Sequence, residues 1–278
     1  MDFSKYIDRI IDLALEEDIG PGDITTQHLV APQAEGRGEI VAKEDLVIAG
    51  LDLARRVFKR IDTGMELNSA FTEGDWVRKG ETVAALSGRL ATLLTGERTA
   101  LNFLQRLSGI ATLTRRYVAL LEGKDVKLLD TRKTTPGWRE LEKWAVRVGG
   151  GTNHRMGLYD AVLIKDNHIA AAGSISEAVK RVRSKVPDGT TIEVETEDLD
   201  QVREAMDAGA HIIMLDNMTK EKIKAAVVLV GGSCKLEVSG GITKDRLAEL
   251  ADTGIDYISS GALTHSARAV DLSMRIFV

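Results

Sequence analysis

Val126-Lys127-Leu128-Leu129-Asp130-Thr131-Arg132-Lys133 is a short apolar run that stops on charge, and the chain repeats that form. Residues 161–164 run into Lys165, 191–194 into Glu195, and 211–215 into Asp216. Residues 235–238 run into Ser239-Gly240-Gly241, and Tyr257-Ile258 is soon followed by Ser260-Gly261-Ala262. Runs of this length suit buried strands, and the intervening Leu141, Trp144, Ala145 and Val148 mark one face of a helix. Strand and helix alternating in units of roughly 20 to 35 residues call for a parallel sheet. Polar residues gathered at the C-terminal end of each strand are what a βα-barrel requires. The expected fold is therefore α/β, an irregular open α/β barrel of about six βα units, with an open doubly wound sheet as the alternative.

The strand ends carry an unusual set of cations for a chain of net charge -5. Arg132, Lys133 and Lys165 lie where the apolar runs 126–129 and 161–164 give way to polar residues, and if those runs are strands His154 and Arg155 converge with them on one mouth. Planar guanidinium forks bind carboxylate and phosphate oxygens bidentately, so such a mouth suits a small, multiply charged anion. The plainer alternative is that these are solvated surface charges. Glu195 and Asp216 end successive runs with no neighbouring histidine or cysteine set, so magnesium suits them better than zinc. The plainer alternative is an ion pair with a barrel lysine. Ser239-Gly240-Gly241 and Ser260-Gly261-Ala262 let backbone N–H groups approach a phosphate, with a following helix adding its dipole.

The 278 residues hold one cysteine, Cys234, so a disulfide framework and a cysteine metal site are excluded and a reducing, cytoplasmic setting is expected. No apolar stretch reaches the length of a membrane span, and the mild acidity argues against a nucleic-acid partner.

The first hundred residues read as a separate α/β (α+β) domain, residues 1–108, with a boundary near Ser108-Gly109 and the barrel over 109–278. A helix over 1–17 is ended by the turn chemistry of Gly20-Pro21-Gly22. Strands are expected over 38–43 and 65–71, with a helix over 51–61 between them. A hammerhead-like hairpin at 73–81 resembles those of lipoyl- and biotin-carrier folds, but where a carrier needs its acceptor lysine, after residues 83–86, the chain has Ser87-Gly88-Arg89. A long helix from Arg89 buries residues 100, 101, 104 and 107, and Arg98 borders that stripe. The C-terminal segment 268–278 is expected to pack on this first domain.

Several long, ordered motifs extend along nearly the whole chain. They include Glu17-Asp18, Gly22-Asp23-Ile24-Thr25, Gly96-Glu97-Arg98-Thr99-Ala100-Leu101-Asn102 and Asp130-Thr131-Arg132-Lys133-Thr134-Thr135-Pro136-Gly137. Gly149-Gly150-Gly151-Thr152-Asn153-His154-Arg155, Lys165-Asp166-Asn167-His168, Glu193-Val194-Glu195, Leu215-Asp216-Asn217 and Ser239-Gly240-Gly241-Ile242 complete them. In these the chain resembles the quinolinate phosphoribosyltransferases, also called nicotinate-nucleotide pyrophosphorylases (carboxylating). The resemblance implies a small α/β domain followed by an open barrel. It also implies transfer of phosphoribose from phosphoribosyl pyrophosphate to quinolinate, with release of carbon dioxide and pyrophosphate, in the biosynthesis of NAD.

On that resemblance Arg132, His154, Arg155 and Lys165 neutralise the two carboxylates of quinolinate, and Arg98 reaches the site from the neighbouring subunit of a homodimer or a higher oligomer of dimers. Thr131 belongs with this binding set, and Lys133 and Lys165 contact the phosphates and ribose. Glu195 and Asp216 hold magnesium, through water or directly, or the ribose hydroxyls. Ser239, Gly240, Gly241, Ser260, Gly261 and Ala262 take the 5-phosphate. His154 donates a hydrogen bond to substrate, while His168 is left without an assigned role beyond orienting the Lys165 loop. Three other readings remain: a barrel lyase using Lys165 as a Schiff base, a non-catalytic carrier, and a related transferase for another ring acid or for molybdenum metabolism.

Overall fold

The computed structural model describes residues 3–278, so Met1 and Asp2, the start of the expected first helix, lie outside the described residues. Two units divide the chain. One holds the residues up to Arg115 with Thr135–Gly150 and Ala267–Val278, and the other holds Arg116–Thr134 and Gly151–Ser266.

The first unit opens on α1 (Phe3–Ile19), which buries Ile7, Ile11 and Leu15 at successive turns. Gly20, at φ 52°, lies just beyond its end. α2 (Ile24–Leu29) is capped by Asp23, whose carboxylate accepts the backbone N–H groups of Thr25 and Thr26. There follow β1 (Glu35–Ala42), β2 (Leu46–Val47), α3 (Leu51–Ile61), β3 (Glu66–Asn68), β4 (Trp76–Val77), β5 (Thr82–Arg89) and the 29-residue α4 (Leu90–Val118). The expected hairpin at 73–81 does not form as one. β4 pairs with β2, whereas β5 pairs with β1 and β3. The turn between them redirects the chain from one sheet to the other, closed by Glu81 N–H to Arg78 O at 3.1 Å and by the Glu81 carboxylate on Arg78 N–H at 2.7 Å.

The expected boundary at Ser108-Gly109 falls inside α4, which runs through it unbroken. Both residues are small because something approaches closely. Ser108 Oγ accepts Ala49 N–H at 2.9 Å, and a Cβ on Gly109 would stand 2.1 Å from the carbonyl oxygen of Arg268. Thr112 Oγ1 likewise accepts Val47 N–H at 2.8 Å, so α4 satisfies donors of the β2 segment that no strand reaches. α5 (Arg139–Val148) also belongs to this unit. Its fully buried Glu142 is paired with Arg106 at 2.7 Å and accepts the Thr135 hydroxyl at 2.9 Å.

The second unit is the barrel. Its strands are β6 (Lys127–Leu129), β7 (Val162–Ile164), β8 (Ile192–Thr196), β9 (Ile212–Asp216), β10 (Lys235–Ser239) and β11 (Tyr257–Ser259), each within a residue or two of an expected run. They form one parallel sheet in the order β6-β11-β10-β9-β8-β7. The intervening helices are α6 (Asp166–Ala172), α7 (Ile175–Arg183), α8 (Leu199–Asp207), α9 (Lys220–Val230), α10 (Lys244–Leu250) and the single turn α11 (Ala262–His265). Ser174, Asp198, Thr219 and Thr243 cap four of them from the side chain.

Among the described residues β6 and β7 do not pair with each other, so the barrel is open there. Residues 152–161 span the gap. Thr152 lies against β6, its N–H on Leu128 O at 2.8 Å and its carbonyl taking Asp130 N–H at 3.1 Å. Arg155 Nη1 reaches Ala161 O, just ahead of β7, at 3.2 Å. The last strand, β12 (Leu272–Phe277), returns to the first unit and pairs antiparallel with β1, giving a sheet ordered β12-β1-β5-β3.

Candidate active site

Successive side chains of a strand point to opposite faces, so residues two apart share one. Glu193 and Glu195 therefore share a face of β8, Met214 and Asp216 of β9, and Glu237 and Ser239 of β10. The result is a pocket of about 570 Å³ with two layers. Lys165, Glu195, Asp216 and Ser239 line the strand ends, and Leu163, Met214, Glu237 and Ser259 line the layer beneath. Thr131, Arg132 and Lys133 reach it from the end of β6, His154 and Arg155 from the segment that spans the barrel gap, and Gly240 and Gly241 from the end of β10.

The two arginines are held together at a cost. Burial pushes the Arg155 guanidinium below its ordinary range, and the nearby charge of Arg132 pushes it further. Two like charges kept close in a half-buried setting favour an anion between them.

His154 departs from expectation. Its Nδ1 accepts the N–H of Arg155 at 2.8 Å, so in the neutral ring the hydrogen is assigned to Nε2. That Nε2 lies 2.9 Å from Glu193 Oε2 and 3.5 Å from Glu237 Oε2. Both nitrogens are turned to the protein, which leaves neither N–H to donate to a substrate. The three residues have the composition of a metal site. The tautomer argues against one, because the ring nitrogen facing the carboxylates carries a hydrogen and has no lone pair to give.

Burial and the Glu193 carboxylate push the Glu237 carboxyl up to about 8, opposed by His154. The folded protein thus holds a proton here that the unfolded chain releases near 4.5. Stability from this group is complete below that value and is lost as the pH rises through about 8. The difference in melting temperature between wild type and Glu237→Gln should fall steadily between about pH 5 and about pH 8, since the amide cannot ionise. A difference that stays constant over that range would mean Glu237 is ionised throughout.

At the strand ends Lys165 Nζ stands 3.0 Å from Glu195 Oε2, the ion pair that was one alternative for Glu195. His168 Nδ1 accepts Lys165 N–H at 3.0 Å. Asp216 accepts Asn217 Nδ2 at 2.8 Å, and Asn217 N–H donates to Ser239 O at 3.1 Å. Asn217 takes a left-handed φ of 51°, and a Cβ on Gly240 would lie 2.2 Å from its Oδ1, so Gly240 is required by this contact.

The second Ser-Gly pair also serves the fold. Ser260 N–H donates to Leu129 O at 3.0 Å. Gly261 makes room for the Lys133 side chain, whose Cδ would lie 2.9 Å from an added Cβ. Ser260, Gly261 and Ala262 do not line the pocket, and α11 is only one turn, too short to add much dipole.

Arg98 stands in the first unit, exposed on α4 beside a cavity of about 330 Å³. Thr99 Oγ1 donates to Asp18 at 3.2 Å and Thr95 Oγ1 to Asp23 at 3.0 Å. The Glu17-Asp18 and Gly22-Asp23 motifs therefore brace the helical turn that carries Arg98. Elsewhere, burial pushes the half-buried Cys234 thiol up, which keeps it unreactive. No helix of the described residues is long and apolar enough to cross a membrane.

Comparison with known proteins gives this site a family. The family model for the N-terminal domain of quinolinate phosphoribosyl transferase matches residues 23–108, and that for its C-terminal domain matches 110–275. A probable nicotinate-nucleotide pyrophosphorylase [carboxylating] of Bacillus subtilis is 48% identical over 260 residues, covering 94% of this chain and 90% of that protein. One of the same description from Synechocystis is 48% identical over 273 residues, covering 97% and 92%. The crystal structure of NadC from Streptococcus pyogenes superposes with a TM-score of 0.95 at 43% identity, covering 98% of this chain and 97% of that one. With both domains matched in order and the fold reproduced along nearly its whole length, the chain belongs to the quinolinate phosphoribosyltransferase family.

Proposed function

We propose that this pocket transfers phosphoribose from phosphoribosyl pyrophosphate to the ring nitrogen of quinolinate, releasing pyrophosphate and carbon dioxide and leaving nicotinate mononucleotide. The observation that carries the reading is the Arg132–Arg155 pair, held together against repulsion in a pocket that also presents Lys133 and Lys165. Two adjacent carboxylates on a small ring match that arrangement, each guanidinium offering a planar fork. Thr131 closes the same side of the pocket, with its Oγ1 on Lys133 N–H at 3.1 Å. His154 acts through Arg155, whose N–H it fixes, and not as a donor to substrate.

Breaking the bond from the anomeric carbon to pyrophosphate leaves positive charge on the ribose and negative charge on the leaving group. Lys133 and Lys165 stabilise the leaving oxygens, and Lys165 does so with little reorganisation because Glu195 already holds it at 3.0 Å. Glu195 and Asp216 offer carboxylate oxygens to the ribose hydroxyls and face the developing cation. These two form a hard, all-oxygen donor set without histidine or cysteine, which fits magnesium bound jointly with substrate phosphates. When present, the ion supplies neutralising charge to the departing pyrophosphate. The pyridine nitrogen forms the new bond to the anomeric carbon. The adjacent C–CO₂ bond then breaks, and the electron pair stays on the ring carbon beside the positive nitrogen until a proton is taken up. Ser239, Gly240 and Gly241 take the 5-phosphate, since Gly240 and Gly241 both adopt left-handed φ values, 91° and 57°.

A Schiff-base lyase is disfavoured, because it leaves Arg132 and Arg155 in the same pocket unexplained and Lys165 is ion-paired to Glu195 at 3.0 Å. Arg98, exposed and distant in sequence from the other cations, is assigned to the site of a second copy in a homodimer. The cytoplasm is the expected setting for a chain with one unreactive cysteine. Supplied with phosphoribosyl pyrophosphate and magnesium, the protein should turn over quinolinate and leave nicotinate nearly untouched, because one carboxylate leaves a guanidinium unpaired. Comparable turnover of nicotinate would remove the substrate assignment.

A further inference from the structure

Asp130 is fully buried at the end of β6. It lies two residues before Arg132, yet its carboxylate is directed at a different segment. Oδ1 accepts the backbone N–H of His154 at 2.8 Å, and Oδ2 accepts Asn153 Nδ2 at 2.5 Å. The same end of β6 holds Thr152 through two backbone hydrogen bonds. His154 in turn fixes Arg155 N–H, and Arg155 reaches across to Ala161 ahead of β7. A single buried carboxylate thus ties the strand end that carries Arg132 to the gap-spanning segment that carries Arg155. Without that tie the two guanidinia would move apart, since their charges repel and no strand pairing holds residues 153–155.

We propose that Asp130, with Asn153, is a positioning pair that sets Arg155 opposite Arg132 and so determines how tightly the pocket holds a dicarboxylate. The inference rests on the quinolinate reading above. Asp130 touches no substrate; it acts through Asn153, His154 and Arg155.

The polarity of the Asp130–Asn153 bond supplies the test. Asn153→Asp sets two carboxylates against each other, so KM for quinolinate should rise about tenfold or more while kcat changes little. Asp130→Asn alone should be mild, because the Asn153 amide can turn to offer its oxygen. The reciprocal double variant Asp130→Asn/Asn153→Asp restores a donor–acceptor pair and still gives His154 N–H an acceptor. Its KM should return to within about threefold of wild type. KM for phosphoribosyl pyrophosphate should stay close to wild type in every variant. A role in folding alone would lower the melting temperature and the active fraction and leave KM unmoved. If Asn153→Asp does not fold, Asn153→Ala removes one of the two bonds and should raise KM about three- to tenfold. An unchanged quinolinate KM in the folded variant, or a double variant no better than Asn153→Asp, overturns the positioning role. Failure of wild type to use quinolinate would instead overturn the functional reading, and it is measured first.

Discussion

Arg98→Ala and Lys165→Ala chains, unfolded and refolded together, should recover activity that neither variant has alone. Arg98 lies on α4 in the first unit, and Lys165 ends β7 in the second. If Arg98 serves the neighbouring subunit, each homodimer has two defective sites. In a mixed dimer the barrel with intact Lys165 meets the intact Arg98 of its partner, and the other site carries both defects. Random pairing makes half the dimers mixed, each with one complete site, so about one quarter of wild-type activity should return. The expected gain is large because both parents start from nearly none. Heterodimer formation confirmed by mass, with activity still at the parental level, would place Arg98 within its own chain's site or outside catalysis.

Arg155→Ala should separate function from stability. Truncating one partner of a desolvated charge pair costs about 2–5 kcal/mol, or roughly 30- to 4,000-fold in kcat/KM for quinolinate. Folding should be unharmed. Burial and the Arg132 charge already disfavour the Arg155 guanidinium, and the truncation removes chiefly its hydrogen bond to Ala161 O. The melting temperature should therefore stay within the small range typical of sites away from the core. A substantial fall in melting temperature with near-normal quinolinate kinetics would make Arg155 a structural residue.

The six barrel strands were legible because each is an apolar run that stops on a polar pair, and the structure places all six in one parallel sheet. The residues of the strand ends were legible for the same reason, since Lys165, Glu195, Asp216 and Ser239 follow their runs directly. The deeper layer was hidden. Glu193 and Glu237 sit inside runs that pattern alone reads as buried strand, and only the period of two places them under Glu195 and Ser239. A carboxylate in mid-strand was the available signal. Asp130 was visible only as the first letter of a cationic motif, and its partners come from a segment more than twenty residues later, which no local pattern connects.

Details of single segments have physical causes as well. At Ser108-Gly109, where the matches to the two family domains meet, small side chains allow Ala49 and Arg268 to approach a continuous helix. Residues 73–81 have hairpin chemistry, yet β4 is only two residues long and pairs with β2. At Ser260-Gly261 the Ser260 N–H joins the sheet at Leu129 and the glycine accommodates Lys133, contacts that the Ser-Gly composition alone does not reveal.

The central claim is a decarboxylating phosphoribosyl transfer, and the most direct test follows the carbon that leaves. Quinolinate labelled in the carboxylate next to the ring nitrogen, incubated with the protein, phosphoribosyl pyrophosphate and magnesium, should release labelled carbon dioxide. Release should match nicotinate mononucleotide and pyrophosphate in equal amounts and cease when phosphoribosyl pyrophosphate is omitted. Retention of the label in a nucleotide product, or release of carbon dioxide without the phosphoribosyl donor, would contradict the account.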